Sequence, residues 1–348
     1  MARSAGLVAD AAPMRARALF HVAEGRVEIR ELALPALAAG EVLVRSRFSA
    51  ISPGTEALIF RGAFPTDGAL DARIAALQGG FAYPFRYGYA LVGEVEATGP
   101  GVDEALAGTR VFAFHPHQDR AVVPLADCLA IPEGIAPEAA LFLPQVETAV
   151  NLVLDGAPLV GERVLVFGQG VVGLLTAALL ARFPLARLVG LEPLAWRREI
   201  AMQWGIPETV DPGRTDAWQA LLSSLSGADL VFELSGDMRA LDQAIEAAGF
   251  DARILVGSWY GANPRPLDLG GRFHRNRLRI VSSQVSTLGP ALTGRWDRQR
   301  RLDLAWRMLA QLQPQRLVGE IFPLGRCAEA FEAVLARREG VMQVILEY

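Results

Sequence analysis

The sequence of 348 residues predicts an α/β fold, a doubly wound parallel sheet joined to an all-β unit, on three observations. From Arg163 onward, short apolar strands alternate with helical stretches; one of those strands runs straight into a glycine-rich turn; and the chain before about Pro137 has the period-two, glycine-punctuated pattern of β-structure. A chain of this length with 51% hydrophobic residues can bury two cores, which excludes disorder of the whole.

Taken in order, "ALFHVAEGRVEIREL" reads as a hairpin around Glu24-Gly25, and "EVLVRSRFSAIS" alternates as a strand. Pro53-Gly54 then forms a tight turn, followed by Thr55, Glu56 and a short helical run that stops at Gly62. "GYALVGEVEATGPGV", "GTRVFAF" and "DRAVVPLADCLAIP" add β-branched runs broken by glycine, which predicts a barrel-like unit. Helical periodicity starts near Pro137. Beyond it, "RVLVFG", "RLVGLE", "ADLVFELSG", "RILVGSW" and "LRIVSS" are apolar strands separated by helices such as "LAWRREIAMQWG" and "RALDQAIEAAG". That spacing is the signature of βαβ units and of a parallel sheet covered on both faces. The tail from Arg298 reads as a helix, a turn at Pro314, a strand near "LVGEIFPL", the helix "RCAEAFEAVLARR" and a last strand "VMQVILEY".

Composition removes several function classes. The net charge of -4 and the scattered arginines leave no electrostatic footprint for nucleic acid. All 34 basic residues are arginine, which excludes Schiff-base and lysine-nucleophile chemistry. Cys128 and Cys327 cannot build a disulfide framework or a Cys/His zinc cluster, and they fit a reducing cytoplasm. The longest apolar run, Val171 to Ala181, is too short to span a membrane. The start, "MARSAGLVADAAPM", lacks the apolar core of a signal peptide and predicts a frayed segment before Met14.

The strand "RVLVF" leads into Gly168-Gln169-Gly170-Val171-Val172-Gly173, a GxGxxG turn that opens an apolar helix. Here the glycines have distinct jobs: Gly168 allows the tight turn, Gly170 lets the backbone approach a pyrophosphate, and Gly173 lets helix and sheet close up. The next strand ends at Glu192, near the spacing expected for a carboxylate that accepts the adenosine ribose hydroxyls. Glu192 favours NAD, because a carboxylate repels a ribose 2′-phosphate; Arg197 and Arg198, on the following helix, keep NADP open.

An N-terminal β-domain, a central Rossmann unit and a returning tail resemble the medium-chain dehydrogenase/reductase superfamily, with its GroES-like catalytic domain. The resemblance rests on "GTEALIFRG", "YPFRYGYALVGEVEATGPGV", "GTRVFAF", "VLVFGQGVVGLLTAALL", "VFELSGDMRALDQAIEAAG" and "FHRNRLRIVSSQV". It implies a GroES-like unit over residues 1–140, a Rossmann unit over 141–286, and a segment 287–348 that returns to the first. It also implies that Ser235-Gly236 and Gly257-Ser258-Trp259-Tyr260 border the nicotinamide, with Ser282-Ser283-Gln284 near its carboxamide. The same analogy implies a homodimer. "SPGTE", the "GY" pair and "RLRIVSSQV" look like a zinc-poor subgroup grouped with bacteriochlorophyllide dehydrogenases.

The chain departs from the zinc-dependent members of that superfamily at each expected ligand. Pro53 stands where they carry cysteine, Gly88-Tyr89-Ala90 replaces Gly-His-Glu, and Leu143 occupies the third position before Pro144. None of these side chains makes an ordinary zinc site, so no metal is expected. Thr55 occupies the hydroxyl position of the superfamily's proton relay; the alternative is a helix cap with Glu56 in the first turn. The Tyr89 phenol can donate to a substrate oxygen, or simply pack. Glu147, if its pKa is raised by burial, can do acid/base work, or it can hydrogen-bond backbone across the domains. His115 and His117, two apart and pointing the same way, suit a substrate contact or a structural role. Glu56 and Tyr260 are further substrate-side candidates. Arg275 and Arg277 are candidates for phosphate or an acidic substrate, or for plain solvation. The expected function is a zinc-independent NAD(P)-dependent oxidoreductase acting on a hydroxyl/carbonyl pair of a small molecule. A quinone or enone reductase using NADPH, and a non-catalytic dinucleotide sensor, remain the alternatives.

Overall fold

The computed structural model describes residues 14–348 except 66, 67, 72 and 263. The frayed start expected before Met14 lies outside the described residues. In chain order the elements are β1 (Arg15–Ala23), β2 (Arg26–Ala33), β3 (Glu41–Ile51), α1 (Thr55–Phe60), β4 (Leu91–Thr98), β5 (Arg110–Ala113), β6 (Arg120–Pro124), β7 (Cys128–Ala130), α2 (Pro137–Ala140) and α3 (Leu143–Gly156). The central part comprises β8 (Arg163–Phe167), α4 (Val171–Leu180), β9 (Arg187–Leu191), α5 (Ala195–Gln203), β10 (Glu208–Val210), α6 (Thr215–Leu225), β11 (Ala228–Glu233), α7 (Met238–Ala247), β12 (Ala248–Val256) and β13 (Arg279–Ser282). The tail adds α8 (Arg298–Leu312), β14 (Val318–Pro323), α9 (Cys327–Ala336) and β15 (Gln343–Glu347).

The central strands form a parallel sheet in the order β10-β9-β8-β11-β12-β13. Strand β8 shows why these segments read as unbroken apolar runs. Val164 and Val166 join one core with α3 and α4, while Leu165 and Phe167 join another with residues of α6 and α7. Both faces of the strand are buried, and alternation disappears. The chain runs from β8 outward through β9 to β10, then returns to β11 and continues the other way. Between β8 and β11 lies the switch point whose carboxyl ends open a crevice for a dinucleotide.

In the β-rich unit, β3 pairs with β4 along most of its length. Its other edge is shared: Glu41–Arg45 pair with β6, and Phe48–Ile51 pair with β15. The sheet order β14-β15-β3-β4-β5-β7 therefore includes two strands from the chain's end. Hairpin β1-β2 turns at Glu24-Gly25 as expected, with Gly25 at φ 66°. Strand β10 and helix α6 are not legible in the sequence. "PETVDPGR" is rich in turn formers, and β10 is only three residues long. In α6, burial of Trp218, Leu221 and Leu225 against the sheet decides the helix.

Candidate active site

The glycine turn lies at the carboxyl end of β8. Gly168 has φ 83°, and a Cβ there would meet the Ser235 Cα at 2.7 Å, because the ends of β8 and β11 converge. A Cβ on Gly173 would fall 1.9 Å from the Gly168 carbonyl oxygen, so only glycine lets α4 approach the turn. Gly170 is the N-cap of α4 and provides no side-chain cap, leaving the helix's first amide groups to receive an anion. Val171 is buried in the core and Val172 packs against it, so both face the turn with backbone only.

Glu192 ties the second strand to this turn. It is 4% exposed, and its carboxylate accepts from Gln169 N at 2.8 Å and Leu194 N at 3.1 Å. Arg197 approaches the same carboxylate at 3.9 Å. Its Nη1 lies 3.7 Å from the point where a Gly170 Cβ would be, so the guanidinium flanks the cradle. Its buried Nε has no partner among the described residues. Burial and nearby Arg337 lower the Arg197 pKa, with Glu192 opposing them. Arg198 is committed elsewhere, donating to the Glu192 and Pro193 carbonyls at 2.7 and 2.8 Å.

At the ends of β11 and β12 the sequence reading missed the organising residue, Glu233. It is fully buried. One carboxylate oxygen accepts from Ser235 N at 2.8 Å and from the Ser235 hydroxyl; the other accepts from the Tyr260 hydroxyl. Tyr260 therefore directs its hydroxyl to Glu233, and burial followed by the Glu233 charge raises its pKa. The Ser258 hydroxyl accepts from Gly236 N at 2.9 Å. Gly257 is packed so closely that a Cβ would meet Leu234 Cδ2 at 2.6 Å and Leu152 Cδ2 at 2.8 Å. An apolar strand ending in Glu-Leu-Ser-Gly was the available signal for Glu233, since a carboxylate buried on a central strand must find donors.

On the β-rich side the structure brings Thr55 and Tyr89 together. Burial pushes the Tyr89 phenol up to about 12, while hydrogen bonds with Ser52 and Thr55 pull the other way. Capping by Thr55 is not what the fold uses: Gly54 is the N-cap of α1, and no side chain caps it. Glu56 and His117, expected on the substrate side, are instead fully buried against each other, with His117 Nε2 2.8 Å from Glu56. His117 Nδ1 lies 2.7 Å from the Ser49 hydroxyl, which lies 2.7 Å from the Tyr348 hydroxyl. Gly88 makes room for this, since a Cβ would sit 2.7 Å from His117 Nε2.

His115 is separate from that chain, because Pro116 lies in a loop and the expected strand-like alignment of the two rings is absent. Its Nδ1 must donate to the Pro116 carbonyl at 3.0 Å, which leaves Nε2 as an acceptor. Burial lowers its pKa to about 4, so the ring is neutral near pH 7.

The Glu147 carboxylate bonds Arg301, and no backbone group among the described residues. Its Oε1 accepts from Arg301 Nε and Nη2 at 3.0 and 2.8 Å, deep inside the protein. Burial raises its pKa and Arg301 opposes that. The Ser283 hydroxyl donates to Asp155 at 2.7 Å. Arg275 and Arg277 precede β13, at the amino edge of the sheet and away from the crevice at its carboxyl ends. Among the described residues no group of three or more His, Cys, Asp or Glu side chains is gathered to hold a metal ion, and no helix is long and apolar enough to cross a membrane.

Comparison with known proteins places this geometry in context. The family described as "Zinc-binding dehydrogenase" matches residues 171–300. The chain is 27% identical over 288 residues to the D-guloside 3-dehydrogenase of Escherichia coli K12, covering 79% of this chain and 82% of that one. It is 30% identical over 250 residues to the L-threonine 3-dehydrogenase of Saccharopolyspora erythraea, covering 70% and 68%. Among solved structures it resembles a protein described as a short chain alcohol dehydrogenase (rspB) from Escherichia coli CFT073, complexed with cofactor NADH. The TM-score is 0.77 at 20% identity, over 96% of this chain and 99% of that one.

Proposed function

The chain belongs to the medium-chain, zinc-binding-type dehydrogenases, and from that premise we propose an NAD(P)-dependent oxidoreductase that interconverts a hydroxyl and a carbonyl on a small metabolite without a catalytic zinc. The observation that carries the cofactor is the turn at the switch point: glycines where a Cβ would collide, an uncapped helix start, and a buried carboxylate bonded to the turn. Gly168, Gly170 and the amides of Val171 and Val172 would hold the pyrophosphate. Glu192 and Arg197 would hold the adenosine ribose, and the unpartnered Arg197 Nε is a donor awaiting an acceptor. The end of β12 and Ser283 would border the nicotinamide, which supplies the two-electron acceptor or donor when bound.

Support for a zinc-independent reaction comes from donor chemistry. Pro53 has no donor, Leu143 is hydrocarbon in the core, and Tyr89, pushed up to about 12, is a phenol rather than a phenolate at neutral pH. Glu56 and His117 already satisfy each other. These residues do not fit a catalytic zinc. Proton handling then falls to Tyr89, which can donate to a developing alkoxide, with Thr55 beside it as relay. His115 Nε2 offers an acceptor for a substrate hydroxyl. The relatives named for a guloside and for threonine support a polar, hydroxyl-bearing substrate.

We extend the reading to a GroES-like unit over residues 1–140, a Rossmann unit over 141–286 and a returning segment over 287–348. Its support is the pairing of β15 with β3. A homodimer is supported by β13, the terminal strand of its sheet, where Val281 is 45% exposed. The test is titration with NADH and NADPH by protein fluorescence, followed by turnover of a panel of polyols, glycosides, hydroxy amino acids and enones. Binding without turnover of any would leave a sensor; turnover of enones alone would make it a reductase of a different kind; no binding would overturn the proposal.

A further inference from the structure

Between helices α3 and α8 lies a buried polar cluster for which proton transfer has no use. Arg301 is 3% exposed. Besides its two bonds to Glu147, its Nη1 donates to Asn151 Oδ1 at 2.6 Å and its Nη2 to the Val285 carbonyl at 2.6 Å. Asn151 Nδ2 donates to Asp155 at 2.9 Å and to the Ser283 hydroxyl at 3.2 Å, and Ser283 in turn donates to Asp155. Glu147, Asn151 and Asp155 are spaced four apart, so they form one ladder along α3. The ladder and Arg301 together grip residues 283 and 285, directly after the carboxyl end of β13.

Buried ion pairs contribute little net stability compared with an apolar packing of the same volume, so stability alone gives no reason for this cluster. What it does hold is a stretch with no ladder of its own. Past Ser283, whose amide donates to the Val256 carbonyl at 2.9 Å, the chain leaves the sheet. In a doubly wound sheet the second half of a dinucleotide lies over the carboxyl ends of the second set of strands, here β11 to β13. The adenosine half lies over β8 and β9. With a strand spacing of about 4.8 Å, β13 is roughly 14 Å from β8, beyond the reach of the adenosine site.

We propose that Arg301 is a positioning residue for the nicotinamide half of the cofactor: by holding the Val285 carbonyl directly and Ser283 through Asn151, it fixes the wall that the nicotinamide meets. This rests on the NAD(P) reading above. A wall gripped at both a side chain and a carbonyl is pre-ordered, and its ordering does not have to be supplied by the ligand.

The test compares each reduced cofactor with its nicotinamide-free counterpart: NADH with ADP-ribose, and NADPH with 2′-phospho-ADP-ribose, by calorimetric titration of the full chain. In the double variant Glu147→Met/Arg301→Met no buried charge is left unpaired, the Asn151 side-chain oxygen loses its donor, and the hold on Val285 is lost; urea unfolding checks that the variant is folded before titration. Ser283→Ala is the milder second variant. The expected result for the double variant is about tenfold weaker binding of the preferred reduced cofactor, the loss of roughly one charge-assisted hydrogen bond, with the counterpart unchanged within about twofold. Ser283→Ala should show the same selectivity at smaller size. Equal weakening of both ligands, or of neither, would overturn the assignment. A wild-type protein that binds none of the four ligands would instead sink the cofactor reading, and this inference with it.

Discussion

His21 makes acid sensitivity of this fold measurable. It is fully buried on β1, stacked on Phe85 at 5.3 Å and edge-on to Phe331 at 5.4 Å. Neither ring nitrogen has a partner among the described residues. Burial, with a smaller push from His117, lowers its pKa from 6.5 to about 3. Since the folded pKa is depressed, the unfolded chain binds a proton that the native state refuses. Stability is therefore complete above pH 6.5 and is lost as pH falls toward 3. Between pH 7 and pH 5 this one group should cost about 2 kcal/mol, from 1.36 kcal/mol per unit of unmatched titration. His115, lowered to about 4, should add a similar loss of about 2 kcal/mol over the same interval. In His21→Phe the aromatic packing is kept and the titration removed, so roughly half the acid sensitivity should disappear. Urea unfolding at pH 7, 6 and 5, with unchanged m-values, measures it. If His21→Phe loses as much stability as wild type between pH 7 and 5, the burial argument is refuted.

Three further outcomes are expected. Purified active protein should hold well under one zinc per chain and keep its activity after chelation; stoichiometric zinc whose removal abolishes activity and whose return restores it would contradict the donor argument. Glu192→Ala should weaken NADH by at least about tenfold, through lost charged hydrogen bonds, and shift preference toward NADPH, with Arg197 free to meet the 2′-phosphate; tighter binding of NADPH than NADH by wild type would refute this. On the first alcohol or ketone that wild type turns over, Tyr89→Phe should lower kcat about 10²-fold or more with little change in KM, as expected of a proton donor, and an unaffected kcat would pass the role to Thr55.

The zinc question shows how far sequence reasoning reached. Loss of donors at Pro53, Tyr89 and Leu143 was visible because those positions are read against a motif. That Glu56 and His117 are buried against each other was not visible, because 61 residues separate them and only the tertiary fold brings their side chains together. Glu147 illustrates the same limit: burial made it a candidate acid, and the partner it meets there, Arg301, lies 154 residues later.

By itself the sequence determined the features that arise from local periodicity and local sterics. These include the apolar runs that must be strands, the hairpin at Glu24-Gly25, the GxGxxG turn where a Cβ would collide, and Glu192 at the end of the next strand. Tertiary structure alone decided which polar groups remain available for chemistry. A buried carboxylate or imidazole takes whatever donor the folded chain brings within about 3 Å, and that partner is chosen by contacts between distant segments. Glu233 with Tyr260, Glu147 with Arg301 and Glu56 with His117 were all settled this way.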